Sequence, residues 1–196
     1  MGRDLSEAVA RAPRTEVHGM FERHVATKWV PRALQGSAAG GRWGAEGEFA
    51  VIYLGRPTAA VVAEAYRHLV DPIEGMTPER VRGRRLIRAK VDVTGALDLR
   101  DRRSWRSLGI TEDDLTSDVG DYEACQLLGS VAHQLGFHGV LAPAATGLGE
   151  TLALFVDLLP SEELPVALGD PVDWLVLPPD PRRLRVVDPK RALGEA

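Results

Sequence analysis

Between residues 85 and 93, side chains of opposite character alternate along the chain. One face of this segment would carry Ile87, Ala89, Val91 and Val93, and the other would carry Leu86, Arg88, Lys90 and Asp92. Since successive side chains of a β-strand point to opposite faces, the pattern predicts a half-exposed strand.

Further strands are predicted at residues 49–54, 139–142, 151–157, 174–177 and 184–187. A helix is predicted from Thr58, as N-cap, to about residue 70, and a second helix is predicted at 119–135, with Gly136 as its C-cap. Short helical or turn pieces are expected around residues 102–108. Strands outnumber helices and do not alternate regularly with them, which favours an α+β fold over a doubly wound one.

The 196 residues suit one domain of ordinary size. Residues 1–16 are rich in Arg, Ala and Glu and are expected to form a mobile or loosely docked arm. Residues 17–196 contain no internal repeat and no long linker, so we expect them to form a single domain.

Charge and cysteine content exclude several classes of protein. The net charge of −4 argues against nucleic acid as the main ligand. Cys125 is the only cysteine, so an intramolecular disulfide is impossible, in agreement with a reducing compartment. No apolar signal segment or membrane span is apparent, and the sequence therefore predicts a cytoplasmic protein without membrane contact.

Familiar catalytic motifs are absent from the sequence. It contains no dinucleotide-binding GxGxxG with the expected acidic residue, no GxxxxGK[ST] loop and no GxSxG elbow. The five histidines lack the spacing of a metal-binding motif, and no metal site is predicted.

Three side chains remain as candidates for chemistry. Arg42 follows two glycines, where its guanidinium could bind a phosphate or simply lie in solvent. Tyr53 falls in the apolar strand, as a site residue or as an ordinary core aromatic. Glu64 falls away from the apolar stripe of its helix, as a catalytic or merely a surface carboxylate. Taken singly, none of these residues is specific.

Taken in order, the motifs resemble those of the RES-domain family, which is named for an Arg, a Glu and a Ser. The resemblance spans roughly residues 20–160. The matching segments are Gly40-Gly41-Arg42-Trp43, Val51-Ile52-Tyr53-Leu54, Val61-Val62-Ala63-Glu64, Ala124-Cys125-Gln126-Leu127-Leu128-Gly129, Gly139-Val140-Leu141-Ala142 and Pro143-Ala144-Ala145.

This resemblance implies an ADP-ribosyltransferase-like fold, with small central β-sheets flanked by helices. It also implies a toxin that cleaves the nicotinamide–ribose bond of NAD+, most simply by phosphorolysis. NAD+ is then a substrate and inorganic phosphate a co-substrate, with no cofactor required. A cognate antitoxin is the expected protein partner, and homo-oligomers within that complex are compatible with the resemblance.

The resemblance also implies roles for individual residues. Arg42 would bind the NAD+ phosphates or the incoming phosphate, Tyr53 would position the nicotinamide, and Glu64 would stabilise positive charge on the ribose. Gly41 and Trp43 would line the substrate site beside these three catalytic candidates.

Two positions depart from the family pattern. Ala144 stands where the family has its serine, and Thr146 is the candidate to supply a hydroxyl and bind substrate in its place. Gly44-Ala45 replaces a common Asn-Pro after the Arg-Trp pair. Alternatives to phosphorolysis are therefore NAD+ hydrolysis, ADP-ribosyl transfer to a protein, or a catalytically silent RES domain that acts as a binding module.

Overall fold

The computed structural model describes residues 2–183, which form five α-helices, seven strands and several 3-10 turns. The helices are α1 (Gly2–Arg11), α2 (Thr58–Leu69), α3 (Arg102–Ser107), α4 (Glu112–Thr116) and α5 (Glu123–Gln134). The strands are β1 (Arg14–Ala26), β2 (Val51–Arg56), β3 (Arg84–Asp98), β4 (Gly139–Pro143), β5 (Glu150–Phe155), β6 (Val166–Ala167) and β7 (Val172–Trp174).

The seven strands belong to one sheet that closes on itself. Its order is β1-β2-β5-β4-β3, and an additional pairing of β1 with β3 completes the ring. All pairings are antiparallel except that of β3 with β4, and β6 and β7 pair with β3 outside the ring. The fold is therefore α+β, as predicted, but it contains a single barrel-like sheet rather than several small sheets.

Apolar side chains fill the inside of the ring, and the helices lie outside it. The interior is packed with side chains from every strand of the ring, among them Phe21, Ile52, Val91, Leu141 and Leu154. On one outer side, α1 and α5 cover a large apolar cluster. On another, α2 packs on the sheet beside Trp174. The cavity described below lies beside α2.

The expectation of a loosely docked arm over residues 1–16 is wrong. Residues 2–11 form α1, whose Val9 is fully buried against the core. Arg14, at the start of β1, donates hydrogen bonds to the carbonyl oxygens of Leu135 (2.8 Å) and Gly136 (2.5 Å). An amphipathic helix gains stability by burying its apolar face, and this gain holds the segment on the domain.

Strand β1 was not predicted from the sequence, because its inward positions are not all apolar. Val17, Phe21 and Val25 point inward, but Gly19 and Arg23 stand between them and interrupt the alternation. Gly19 has a φ of +116°, which favours glycine at that position. The backbone is a β-strand, but its apolar residues do not alternate with polar ones, so the sequence shows no period of two.

The other predicted elements are found with shifted ends. Pro57, rather than Thr58, is the N-cap of α2, and no side chain caps that helix. The helix predicted at 119–135 begins only at Glu123, since a turn that contains Gly120 at φ +101° precedes it. The strand predicted at 174–177 lies earlier, at β7, and the one predicted at 184–187 falls outside the described residues.

Within residues 2–183, no helix combines the length and the apolar character needed to cross a membrane.

Candidate functional site

A cavity of about 280 Å³ lies between α2, the outer face of β1 and β2, and the loop before β2. Its volume is close to the lower end of the ~300–1,000 Å³ typical of small-molecule sites. Four of the residues selected from the sequence line it together with Trp43: Gly41, Arg42, Tyr53 and Glu64. Three separate parts of the chain therefore bring these candidates to one place.

The loop at residues 40–44 is held against Tyr53. The hydroxyl of Tyr53 accepts a hydrogen bond from the backbone N–H of Trp43 at 3.0 Å. A Cβ on Gly41 would lie 2.6 Å from that hydroxyl oxygen, so a side chain there would push the loop away. Gln126 of α5 donates to the Gly41 carbonyl oxygen at 3.0 Å. The glycines are thus required by close packing, and the loop is fixed from both sides.

Arg42 is held by the segment that follows α4. Its Nη1 donates to the Asp114 carbonyl oxygen at 2.7 Å and to the Ser117 hydroxyl at 2.9 Å, and its Nη2 donates to the Ser117 carbonyl oxygen at 2.9 Å. Its guanidinium also lies 4.5 Å from the centre of the Tyr122 ring. Since arginine has five N–H donors and three are used here, two remain for a ligand.

Arg67 of α2 reaches the same carbonyl group, donating from Nη2 to the Ser117 oxygen. Arg42 and Arg67 therefore meet at one end of the cavity, although they come from different elements. Two guanidinium groups at one place form a cationic end that suits a phosphate.

Tyr53 remains protonated at neutral pH. Burial, partly offset by the hydrogen bond from Trp43, raises the pKa of its phenol to about 12. Its structural part in this site is to support the loop that carries Arg42, and its ring forms part of the cavity wall. That it positions a nicotinamide ring remains a prediction.

Glu64 faces the cavity, not bulk solvent. Its side chain is 24 % exposed, and its Oε2 lies 3.3 Å from Nε2 of His68, one turn further along α2. A partly buried carboxylate in this cavity can interact with a cationic centre that forms there.

Two of the predicted binding residues are placed differently from what was expected. Trp43 lines the cavity, but its side chain is 1 % exposed and packs mainly in the core. Thr146 is not among the residues that line the cavity, and its hydroxyl faces the N–H of Leu148 at 3.5 Å. The threonine that does line the cavity is Thr151, and Ala144 is buried, with 2 % exposure.

Several residues that line the cavity were not predicted from the sequence: Glu22, Arg23, His24, Arg67 and Thr151. The first three lie on β1, which was not recognised as a strand. Arg67 follows Glu64 by three residues in a predicted helix, so helical spacing was the signal that could have found it.

The β1 residues are unusual in their burial. Burial lowers the pKa of His24 to about 3, so its ring is neutral, and Arg84 donates to its Nδ1 at 3.1 Å. Burial also lowers the pKa of Arg23, whose Nη1 donates to the Ala33 carbonyl oxygen at 2.8 Å. Among the described residues, no group of three or more His, Cys, Asp or Glu could hold a metal ion.

Fold and cavity together define an α+β protein with a closed sheet and a cavity of small-molecule size that has Arg42 and Arg67 at one end. The chain belongs to the RES domain family, whose model matches residues 20–188. It is 38 % identical over 161 residues to the "Probable NAD(+) phosphorylase Rv3189" of Mycobacterium tuberculosis, a match that covers 81 % of this chain and 75 % of that protein.

Two further similarities were found. The "NAD(+) phosphorylase MbcT" of Mycobacterium bovis is 34 % identical over 122 residues, which span 60 % of this chain and 63 % of that protein. The crystal structure of the M. tuberculosis MbcT-MbcA toxin-antitoxin complex matches with a TM-score of 0.76 and 24 % identity, covering 87 % of this chain and 91 % of that one. At this identity the structural match shows a shared fold.

Proposed function

We propose that this chain is an enzyme that degrades NAD+ by cleaving its nicotinamide–ribose bond, with inorganic phosphate as the acceptor, and that it is the toxin of a toxin–antitoxin pair. The observation that carries the proposal is the convergence of Arg42, Tyr53 and Glu64 on one cavity from three elements. The names of the relatives support the reaction, and the solved complex supports an antitoxin partner.

The geometry fits the charges of this reaction. Arg42 and Arg67 offer unused N–H donors to the pyrophosphate of NAD+ or to the incoming phosphate. As the C–N bond breaks, nicotinamide leaves with the electron pair as a neutral molecule, and positive charge develops on the ribose. The carboxylate of Glu64 stabilises that charge, and a phosphate oxygen then forms the new bond to the same carbon.

Three further features belong to the same proposal. The closed sheet with its lateral cavity is interpreted as an ADP-ribosyltransferase-like fold. The antitoxin would cover the cavity between Arg42 and Glu64 and keep the enzyme silent. Because NAD+ is a cytoplasmic metabolite, the protein would act in the cytoplasm.

The direct test is to incubate the purified protein with NAD+, with and without inorganic phosphate, and to identify the products by mass spectrometry. ADP-ribose-1″-phosphate that forms only with phosphate is the expected result. Free ADP-ribose in both samples would instead identify a glycohydrolase. Intact NAD+ in both samples would contradict the proposal and favour a protein acceptor or a silent domain.

Two variants connect the reaction to the cavity. Arg42→Ala and Glu64→Ala should each reduce kcat/KM for NAD+ by about 100-fold or more, in the range measured for loss of one charge-stabilising group, and should abolish growth inhibition. Arg103→Ala and Glu162→Ala, which replace exposed residues of the same types, serve as matched controls. Undiminished toxicity in either cavity variant would refute the role given to that residue.

A further inference from the structure

Glu22 is a buried carboxylate that has no role in the reaction described so far. It is 3 % exposed, it lies on β1, and it lines the cavity. Its Oε1 accepts a hydrogen bond from Nε of Arg88 at 3.2 Å, whereas its Oε2 has no hydrogen-bond partner among residues 2–183.

An unpartnered oxygen of this kind is costly. Leaving a buried acceptor unsatisfied costs about 1–3 kcal/mol, and more when the group is charged. Within the described part of the chain, Glu22 Oε2 and Arg23 Nε are the two buried side-chain polar atoms in this condition, and both residues line the same cavity. A buried polar atom without a partner requires an explanation, and a bound ligand that donates a hydrogen bond to the oxygen of Glu22 would supply one.

The position of Glu22 along the cavity indicates which donor it would meet. On β2, Tyr53 and Gly55 point to the same face about 7 Å apart, and Gly55 is paired with Glu22. A Cβ on Gly55 would lie 3.2 Å from Cγ2 of Val61, so this end of the cavity lies beside the first turn of α2.

Further along α2, the residues that line the cavity change from apolar to charged. Glu64 follows Val61, and Arg67 follows Glu64, each about 4.5 Å further along the helix. Arg67 joins Arg42 at the Ser117 carbonyl group. The cavity therefore has Arg42 and Arg67 at one end, the Glu64 carboxylate in the middle, and Glu22 with its neighbour Arg23 at the other end.

Building on the proposed function, we propose that Glu22 is a specificity-determining residue that accepts a hydrogen bond from the carboxamide N–H2 of the nicotinamide ring. With the phosphates at the arginines and the scissile bond beside Glu64, the pyridine ring extends toward Glu22. The carboxamide carries the conventional hydrogen-bond donors of that ring, and an ionised carboxylate only accepts. A nicotinic acid ring has a carboxylate at the same place, which the Glu22 carboxylate repels.

The test compares NAD+ with nicotinic acid adenine dinucleotide as substrates of the full chain. Wild type should favour NAD+ by about 100-fold or more in kcat/KM, because a site built for a donor rejects an analogue that lacks it. Glu22→Gln keeps the shape and offers an amide that can donate, so the preference should fall at least about tenfold. Glu16→Gln, at an exposed position of β1, is the matched control and should retain the wild-type preference.

Each outcome decides the inference. NAD+ cleavage with the same preference in wild type and Glu22→Gln, or with no preference in wild type, would overturn it. If wild type leaves both dinucleotides intact, the proposed function fails, and calorimetric titration of wild type with nicotinamide and with nicotinic acid then decides the inference. Binding of nicotinamide alone supports it, and equal or absent binding overturns it. If Glu22→Gln does not fold, the same titration of wild type decides the inference.

Discussion

Gly129 lies inside α5, where the helix touches the backbone of the loop that carries Arg42. A Cβ at this position would lie 2.8 Å from the carbonyl carbon of Trp43 and closer still to its oxygen. Gly129→Ala therefore forces either the helix or the loop to move. We expect the loop to move rather than the helix, because Leu128 and Cys125 anchor α5 in the core.

The magnitude follows from two opposing terms. Alanine is favoured over glycine inside a helix by about 1 kcal/mol. Overpacking an interior costs about 1–3 kcal/mol, and the upper part of that range applies because no side-chain rotation can move backbone atoms. We expect the free energy of unfolding to fall by about 1–2 kcal/mol, which lowers the Tm by about 2–8 °C for a chain of this size.

The effect on activity should be larger than the effect on stability. Displacing Arg42 by about 1 Å is expected to reduce kcat/KM for NAD+ by about 100-fold. The assay combines thermal unfolding followed by circular dichroism with steady-state kinetics. Gly83→Ala is the matched control, because a Cβ there would lie 3.6 Å from Oγ1 of Thr27, an ordinary contact. If Gly129→Ala has the same Tm and kcat/KM as wild type, the claim that this contact positions the loop is refuted.

Three further changes test the support of the site. Tyr53→Phe removes the acceptor of the Trp43 N–H. It should lower the free energy of unfolding, measured by denaturant titration, by about 1–3 kcal/mol. An unchanged free energy of unfolding would contradict the hydrogen bond. Gln126→Ala leaves the Gly41 carbonyl without its donor, and a roughly tenfold loss of kcat/KM at about 1 kcal/mol of destabilisation is expected. Because burial puts the pKa of His24 near 3, below its ordinary 6.5, the unfolded chain binds that proton more readily. The contribution of His24 to stability is therefore fully present above pH 6.5 and is lost as the pH falls toward 3. His24→Gln should flatten this pH dependence of the free energy of unfolding, and equal slopes in wild type and variant would refute the explanation.

The order of the motifs predicted the family, which the family model confirms, while the roles given to Arg42, Tyr53 and Glu64 remain predictions. Gly41, Arg42, Tyr53 and Glu64 do lie around one cavity. Local patterns could not show that Arg42 would be held by a segment more than seventy residues away, nor that Thr151 would occupy the wall in place of Thr146. Both depend on long-range contacts, which leave no periodic trace in the sequence.

The sequence by itself determined the elements whose burial is regular: α2, α5 and the strands β2, β3, β4 and β5. In α2, α5 and β3 the apolar side chains recur mainly on the buried face, whereas in β2, β4 and β5 they form short continuous runs that are buried. Only the tertiary structure decided the closure of the sheet, because β1 joins β3 through backbone hydrogen bonds that do not depend on side-chain type. The tertiary structure also decided that α2 packs beside the outer face of β1 and helps to bury Glu22 and His24, two polar residues whose local sequence gave no reason to expect burial.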